Sequence, residues 1–457
     1  MKTIDESRAP ETEQALQGDR PRLLAEGKMS WYQIGAILLC QLINMFDGFD
    51  VVVASYTAPA IGAEWQVAPE RLGLFISASL FGMTAGSLFL APMADRVGRR
   101  PTVLLGLAII TAGMLLSSGA ASLGWLVALR VVTGLGIGIL FASLTTMVAE
   151  YSTDQRRDLA VTFLHLGYPV GATVGGLLAA WILSVTGDWR PVYLAGGAGT
   201  ALLILLVFLR LPESLDFLLD RQPPGALDKV NRQLTRMGRA PLTALPRQHA
   251  PGTARAGVRT IVSGDLARRT FYLWAAFFTS LLVVYFLIGW TPQILVLSGL
   301  SEQKAIVGGV ILNAGGGCGM LLLGFLAKQF RLERLIALYF VVAALFMIGF
   351  ALVSADVSLT ILFALTFAMG FFSFGSLIGL YALATRVYPT EVRTTGVGWA
   401  IGIGRMGSIV GPSLAGLLIG LEWDRGTYYF LFALPLLVGA MAALKVGATR
   451  GQTGEAG

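Results

Sequence analysis

Long apolar stretches recur through the whole chain and constrain its fold more than any other feature. Each stretch runs for about 20 residues or more, which is long enough for a helix to cross about 30 Å of hydrocarbon. Of the 457 residues, 55% are hydrophobic and 13% are charged, whereas a soluble domain carries about 25% charged residues. The sequence therefore predicts an integral membrane protein.

About twelve apolar stretches can be distinguished, and they predict an all-α membrane protein with twelve transmembrane helices. A polar, Pro-rich and basic segment over 211–268 divides the spans six and six. We predict a cytoplasmic tail over 1–29, helix bundles over 30–210 and 269–446, and a second tail over 447–457. The predicted spans centre near the following residues: Leu39, Ser79, Ile110, Gly136, Gly171, Ala201, Val283, Met320, Val342, Phe371, Gly407 and Leu434.

Internal repeats relate the two halves. Gly86–Arg100, after the second span, is echoed by Gly319–Glu333 after the eighth. Small residues in G-x-x-x-G steps let two helix backbones approach closely. Matching steps occur in the fifth and eleventh spans: Gly171 with Gly175, and Gly407 with Gly411. The repeats predict two pseudo-symmetric bundles, an arrangement found in transporters that rock around a central site.

The basic residues predict how the chain is oriented in the membrane. With the N-terminus in the cytoplasm, most Lys and Arg residues of the loops lie on the cytoplasmic side, as the positive-inside rule requires. The net charge of +7 follows from this topology, and no soluble domain is available for nucleic acid. We therefore predict a multi-pass functional monomer with both termini cytoplasmic and no nucleic-acid partner. The basic residues left outside are chiefly Arg71, Arg190, Lys304 and Arg425.

Two carboxylates, Asp47 and Asp50, interrupt the first apolar run in the sequence N-M-F-D-G-F-D-V-V-V. An ionised Asp at the centre of a span costs about 2.5–3.5 kcal/mol. Residues three apart share a helix face, so both side chains can face a central cavity. Neighbouring carboxylates in a poor dielectric resist being ionised together, which suits proton coupling. A structural pair locked to arginines is the alternative.

Two arginines within the spans are the expected partners of these carboxylates. Arg130 lies roughly two turns into the fourth span from the outside, and Arg405 lies near the middle of the eleventh. A guanidinium stays protonated and binds carboxylates bidentately, so either can bind a substrate anion or an Asp. From their depths, we expect Asp50 near Arg130 to take the proton, and Asp47 to share it or to position Arg405. A purely structural ion pair is the alternative.

Four sequence motifs point to a known family. Ala91–Arg100 (A-P-M-A-D-R-V-G-R-R) resembles the loop signature of the major facilitator superfamily. The D-G-F-D of the first span and Thr395–Gly407 (T-G-V-G-W-A-I-G-I-G-R-M-G) resemble the aromatic acid:proton symporters, and Leu211–Ser214 (L-P-E-S) fits the same pattern. The resemblance covers nearly the whole chain. It implies the superfamily fold and proton-coupled import of a benzoate-type acid across a bacterial inner membrane, for aromatic catabolism.

The resemblance also implies roles for charged residues at the cytoplasmic ends of the spans. In the superfamily such residues join the two halves when the carrier is open to the outside. Solvated loop charge is the alternative for each of them. The residues carried over to this cytoplasmic gate are Asp95, Arg96, Arg100, Glu150 and Arg393.

Ring-bearing residues in the spans are candidates for contact with an aromatic substrate, because rings that face a cavity stack on aromatic ligands. His165, the only histidine within a span, is a candidate proton relay near neutral pH, with a core histidine as the alternative. Ordinary packing is the alternative for each of the other candidates: Phe46, Phe49, Tyr285, Trp290, Phe374, Tyr381 and Trp399.

Other functions are less well supported by the sequence. A carrier of the same fold with another cargo, such as a sugar, a dicarboxylate or an exported drug, is the nearest rival. Exporters typically carry a Gly-Pro signature in the fifth span, where this chain has G-Y-P-V-G-A-T-V-G-G. A membrane sensor of aromatic acids is not favoured because no signalling domain is apparent. An enzyme is not predicted, since no nucleophile, metal site or cofactor site accompanies the aspartates and protons are the only coupling ion expected.

Overall fold

The structure, a computed structural model, describes residue 24 and residues 28–246, 258–353, 357–389 and 392–451. Over this part of the chain there are helices and turns but no strand. Twelve of the helices are long and apolar enough to cross a membrane. The predicted all-α class with twelve spans is therefore confirmed. The predicted tails, 1–29 and 447–457, lie mostly outside the described residues.

Each predicted span centre falls inside one helix. The first half contains α1 (Trp31–Trp65), α2 (Pro69–Ala85), α3 (Arg99–Ser118), α4 (Leu123–Tyr151), α5 (Arg157–Thr186) and α6 (Arg190–Arg210). The second half contains α7 (Gly264–Leu297), α8 (Glu302–Leu326), α9 (Leu332–Leu352), α10 (Leu359–Val387), α11 (Arg393–Gly420) and α12 (Arg425–Gly451). Between the halves, the polar segment carries three short helices that the sequence did not predict: Leu215–Arg221, Ala226–Arg236 and Val258–Ile261.

The start of α1 is fixed by a capping box. The Ser30 hydroxyl accepts a hydrogen bond from the backbone N–H of Gln33 at 3.3 Å, and the Gln33 side chain accepts one from the backbone N–H of Ser30 at 2.9 Å. Both bonds satisfy N–H groups that have no partner within the helix. The helix ends at Trp65, where Gln66 adopts a left-handed conformation. We call the end of the bundle where α1 starts the terminal end, and the end where α1 finishes the distal end.

The loop signature lies in an irregular continuation of α2. The helix passes through a π turn and a 3-10 turn before it ends at Val97. Gly98 has φ 112°, a conformation that favours glycine. The Glu213 carboxylate then accepts hydrogen bonds from the first two backbone N–H groups of α3, those of Arg99 at 2.8 Å and Arg100 at 3.1 Å. The L-P-E-S segment therefore caps α3.

The two halves pack their helices in the same pattern. In the first half α1 packs on α5, α2 on α4 and α3 on α6, and in the second half α7 packs on α11, α8 on α10 and α9 on α12. Gly171 lies against a backbone carbonyl of α1, and Gly407 and Gly411 lie against backbone carbonyls of α7. Gly175 lies against the Phe49 ring. The close backbone approach predicted from the G-x-x-x-G steps is confirmed for Gly171, Gly407 and Gly411, whereas Gly175 packs on a side chain.

The halves meet through α2 and α11, through α5 and α8, and through α1 and α7. Ser55 donates to backbone carbonyls of α7, at 2.7 and 2.8 Å. Ser413 donates to Ser77 at 2.9 Å, and Gly73 lies against the backbone of Gly416. These contacts lie in the distal halves of their helices. The distal end of the bundle is therefore closed.

Candidate functional site

A buried salt bridge joins α1 to α4. The Arg130 Nη1 atom donates to Asp50 Oδ1 at 2.8 Å, and the two side chains are 0% and 1% exposed. A buried charge needs a partner of opposite sign, because its desolvation is costly. The structure thus brings together the two residues that the sequence places at similar depth.

The rest of the Arg130 guanidinium contacts residues that the sequence did not single out. Its Nη2 atom donates to the sulfur of Met114 at 3.2 Å. Its central carbon lies 5.0 Å from the centre of the Tyr193 ring, and the Tyr193 hydroxyl is 3.1 Å from that of Thr57. Asp50 keeps one buried oxygen, Oδ2, without a hydrogen-bond partner among the described residues.

Asp47 lies about one helical turn from Asp50 on α1. Its side chain is 5% exposed, and its Oδ1 atom has no hydrogen-bond partner in the described part of the chain. Arg405 and Asp50 both act on it electrostatically. The two aspartates are therefore not equivalent, because one is held in a salt bridge and the other is not.

Arg405 lies near the middle of α11 and is 7% exposed. Its guanidinium carbon is 5.3 Å from the centre of the Phe141 ring, which belongs to α4 of the first half. No described carboxylate lies within ion-pair distance of it. A buried guanidinium of this kind can accept an anion.

Further predicted residues surround Arg405. The guanidinium acts electrostatically on the phenols of Tyr285, from α7, and Tyr381, from α10. The His165 ring, from α5, has its centre 5.6 Å from that of Phe141. We call Arg405, Phe141, Tyr285, Tyr381 and His165 the central cluster. It draws on both halves, as a site in an alternating-access carrier must.

The remaining predicted aromatic residues lie in helix packing instead. Phe49 fits against glycines of α5 and α6. Trp290 is fully buried and donates to a backbone carbonyl of α11 at 2.8 Å. Trp399 is 44% exposed and stacks on Trp274 with ring centres 6.1 Å apart. Two more lie against glycines: Phe46 and Phe374.

Glu150, one of the predicted gate residues, is bound by the first half and by the central segment. Its carboxylate forms a salt bridge with Arg99 at 2.9 Å and accepts from the Ser214 hydroxyl at 2.5 Å. Arg100, which the sequence assigned to the gate, instead donates to the backbone carbonyl of Phe208 at 2.6 Å. Arg99 is therefore the partner that the sequence did not predict.

The other gate candidates have their described contacts with the central segment or within one half. Asp95 and Arg96 are exposed, and the Asp95 carbonyl accepts from Arg221 at 2.9 Å. The Arg393 side chain donates to the backbone carbonyl of Tyr388 at 3.4 Å, within the second half. Contacts across the halves at this end stay a prediction for another conformation, since the structure is closed at the distal end.

Comparison with known proteins assigns the family. The sequence profile of the Major Facilitator Superfamily matches residues 38–400. The chain belongs to the major facilitator superfamily. It is a multi-pass membrane transporter, not an enzyme, as the sequence predicted.

Curated relatives of this transporter are named for aromatic acids. The gallate transporter of Pseudomonas putida is 33% identical over 92% of this chain and 93% of the relative. The 4-hydroxybenzoate transporter PcaK of Pseudomonas putida is 33% identical over 87% of this chain and 88% of the relative. The resemblance to aromatic-acid transporters predicted from D-G-F-D and Thr395–Gly407 is therefore confirmed.

A solved structure shares the fold of the transporter. The inward-open conformation of the xylose transporter XylE from E. coli aligns with a TM-score of 0.72. The alignment covers 91% of this chain and 96% of that chain at 16% identity. At this identity the likeness shows the fold alone, so it confirms the two six-helix bundles.

Two residues of the transporter that the sequence did not single out contribute to the site. Phe141 contacts both Arg405 and His165. The Tyr168 hydroxyl has no hydrogen-bond partner among the described residues, and this phenol interacts electrostatically with Asp47 and Tyr285. Phe141 lies in a wholly apolar part of α4, so its sequence context does not distinguish it from a packing residue. Tyr168 is a polar group inside a span, which is a usable sequence signal.

Proposed function

We propose that the transporter imports a small aromatic carboxylate together with protons by alternating access across a bacterial inner membrane. This substrate class is supported by the relatives that are named as transporters of gallate and of 4-hydroxybenzoate. The central cluster supports it independently, because it combines a buried cation with aromatic rings. Substrates of the benzoate, hydroxybenzoate and related aryl-acid type fit that chemistry.

The observation that carries the proposal is the buried guanidinium of Arg405, with no described carboxylate in ion-pair contact. A substrate carboxylate supplies the missing partner and forms two parallel hydrogen bonds with the guanidinium. The substrate ring then lies among Phe141, Tyr285 and Tyr381, where it stacks edge to face or face to face. Asp47 acts on Arg405 electrostatically and so tunes how strongly the guanidinium attracts an anion.

The pair formed by Asp50 and Arg130 is the proposed proton site. Asp50 takes a proton while the site faces outwards, the loaded halves rock, and the proton and the substrate leave on the inner side. A membrane potential contributes about 2.3 kcal/mol per net charge per 100 mV. One proton moved with one monoanion carries no net charge, so that stoichiometry uses the pH gradient alone.

The proposed orientation places the terminal end in the cytoplasm, with both chain termini on that side. The positive-inside rule supports it, since the loops of that end carry most of the basic residues. The distal end then faces outwards, and its contacts between α2 and α11 close the site to the outside. We expect the transporter to function as a monomer.

The test is uptake into proteoliposomes with an imposed pH gradient. Labelled benzoate, 4-hydroxybenzoate, gallate and phenylpropionate are compared, with xylose as a cargo of another class. We expect at least one aryl acid to accumulate and a protonophore to abolish the accumulation. Accumulation that resists the protonophore excludes proton symport, and xylose uptake without aryl-acid uptake excludes the substrate class.

A further inference from the structure

The buried salt bridge between Arg130 and Asp50 is monodentate. Arg130 Nη1 donates to Oδ1 at 2.8 Å, and the buried Oδ2 has no hydrogen-bond partner among the described residues. A guanidinium frequently binds a carboxylate through two parallel N–H···O bonds. In a buried site the second bond is favourable because it satisfies the second oxygen. Its absence requires a cause.

Met114 and Tyr193 both contact the guanidinium, whose Nε atom has no hydrogen-bond partner among the described residues. Nη2 donates to the Met114 sulfur at 3.2 Å and makes no hydrogen bond to Oδ2 of the carboxylate. The Tyr193 ring lies 5.0 Å from the guanidinium carbon, and its hydroxyl is held at 3.1 Å from that of Thr57. We call Met114 and Tyr193 the guanidinium clamp. Its residues lie on α3 and α6 of the same half as the salt bridge, so the clamp moves with the pair when the halves rock.

We propose that the guanidinium clamp keeps Oδ2 of Asp50 free to hold the coupling proton. The inference rests on the proposed proton symport. A proton from water forms an O–H bond on Oδ2, while the N–H···O contact between Arg130 Nη1 and Oδ1 persists. The proton returns to water on the inner side, and Arg130 stays charged throughout. Met114 and Tyr193 act through Arg130 and are therefore positioning residues.

Two titratable side chains, those of Asp47 and Tyr193, are seen to interact with this pair. Asp47 lies about one turn away on α1 and interacts with Asp50. The Tyr193 phenol interacts with Arg130 and Asp50. Two groups on α5 and α11 act on Asp47: Tyr168 and Arg405. Met114 carries no charge, so a change in pH dependence after its replacement reports a change in geometry.

The test replaces the sulfur while keeping a side chain of similar volume. In Met114→Leu, Nη2 loses its acceptor and can turn to Oδ2, which favours the ionised carboxylate. We expect the external pH for half-maximal proton-driven uptake to move towards acid by about one unit, the effect of one added hydrogen bond to a charged group. Uptake is measured in proteoliposomes with labelled 4-hydroxybenzoate. The matched control is Met147→Leu, which replaces a buried methionine of α4. We expect its profile of uptake against external pH to match that of the wild type.

A second pair of variants tests the ring. Tyr193→Leu removes the ring and is expected to move the profile in the same direction as Met114→Leu. Tyr193→Phe keeps the ring and is expected to retain most of the wild-type profile. Substrate counterflow, which needs no net proton movement, shows whether each variant is folded. If Met114→Leu does not fold, the pH profiles of Tyr193→Leu and Tyr193→Phe test the inference without it.

The outcomes separate this inference from the proposed function. Wild-type uptake that is insensitive to a protonophore refutes both the proton symport and the inference. Protonophore-sensitive wild-type uptake with an unchanged or alkaline-shifted profile in a folded Met114→Leu overturns the inference and leaves the symport standing. The same holds for a folded Tyr193→Leu whose profile matches that of the wild type.

Discussion

The guanidinium carbon of Arg405 lies 5.3 Å from the centre of the Phe141 ring. Arg405 belongs to α11 of the second half and Phe141 to α4 of the first, so this contact joins the halves at the depth of the candidate site. The contacts nearer the distal end are made by hydroxyls and glycines, whereas this one involves a buried cation. A substrate anion bound at Arg405 would therefore lie at the boundary between the two halves.

Replacement of Arg405 tests whether its guanidinium binds the substrate. A hydrogen bond to a charged group contributes about 1.5–3 kcal/mol, and about 1.4 kcal/mol corresponds to tenfold in affinity. We expect Arg405→Gln to weaken the binding of labelled 4-hydroxybenzoate about 10- to 100-fold. The affinity of Arg405→Lys should lie between those of the wild type and Arg405→Gln, because lysine keeps the charge but not the planar fork. The measurement is equilibrium binding to detergent-purified protein. The matched control is Arg386→Gln, an exposed residue at the end of α10, and equal losses in the two Gln variants contradict a specific role.

Replacement of Phe141 tests the contact between the halves. The cation–π interaction contributes about 0.5–2 kcal/mol depending on its exposure. We expect Phe141→Leu to weaken substrate binding by about 2- to 30-fold, because Arg405 loses the ring that orients it. The same binding assay applies. Phe89→Leu, at a residue 78% exposed on the first half, controls for the loss of a phenylalanine, and wild-type affinity in Phe141→Leu rules out the orienting role.

Neutralisation of Asp50 tests the coupling site. Asp50→Asn keeps the size of the side chain and an acceptor for Arg130 but cannot carry a proton at physiological pH. We expect uphill accumulation to be lost while counterflow persists, because counterflow needs binding and rocking but no net proton movement. Uptake and counterflow are compared in the same proteoliposomes. Asp228→Asn, on an exposed residue of the central segment, should retain both, and full accumulation in Asp50→Asn excludes Asp50 as the proton site.

The spans and their division into halves could be predicted from the sequence because the bilayer imposes a length and a polarity on every helix. Charged residues inside those spans were equally visible, so the pairing of Asp50 with Arg130 followed from their depths. The contacts of Met114 and Phe141 were not predictable. Both residues lie in apolar helices where a packing residue and a site residue have the same pattern. Tyr193, like Tyr168, is a polar group inside a span, but the sequence does not show that its ring lies beside Arg130.

The gate shows a second limit of sequence-based reasoning. The loop signature contains three arginines, and the sequence assigned Arg96 and Arg100 to the gate, whereas Arg99 binds Glu150 in this conformation. A helical period of 3.6 residues cannot assign the facing side chain here, because a π turn, a 3-10 turn and the positive φ of Gly98 change the rotational phase between α2 and α3. The short helices of the central segment were missed for a related reason, since their apolar faces are too short to stand out from a polar linker.

Two glycines of α11 offer a test of the helix packing on which the site depends. Gly407 lies against a backbone carbonyl of α7, whereas Gly402 has no atom within 4 Å of the position that a Cβ would occupy. An alanine in an open helical position is more stable than glycine by about 0.5–1 kcal/mol, but an added methyl in a filled interface costs about 1–3 kcal/mol. We therefore expect Gly402→Ala to raise the thermal unfolding temperature slightly, and Gly407→Ala to lower it. Both are measured on detergent-purified protein. Because α7 also carries Tyr285, Gly407→Ala should weaken substrate binding as well, and equal stability and affinity in the two variants would show that the α7–α11 contact does not shape the site.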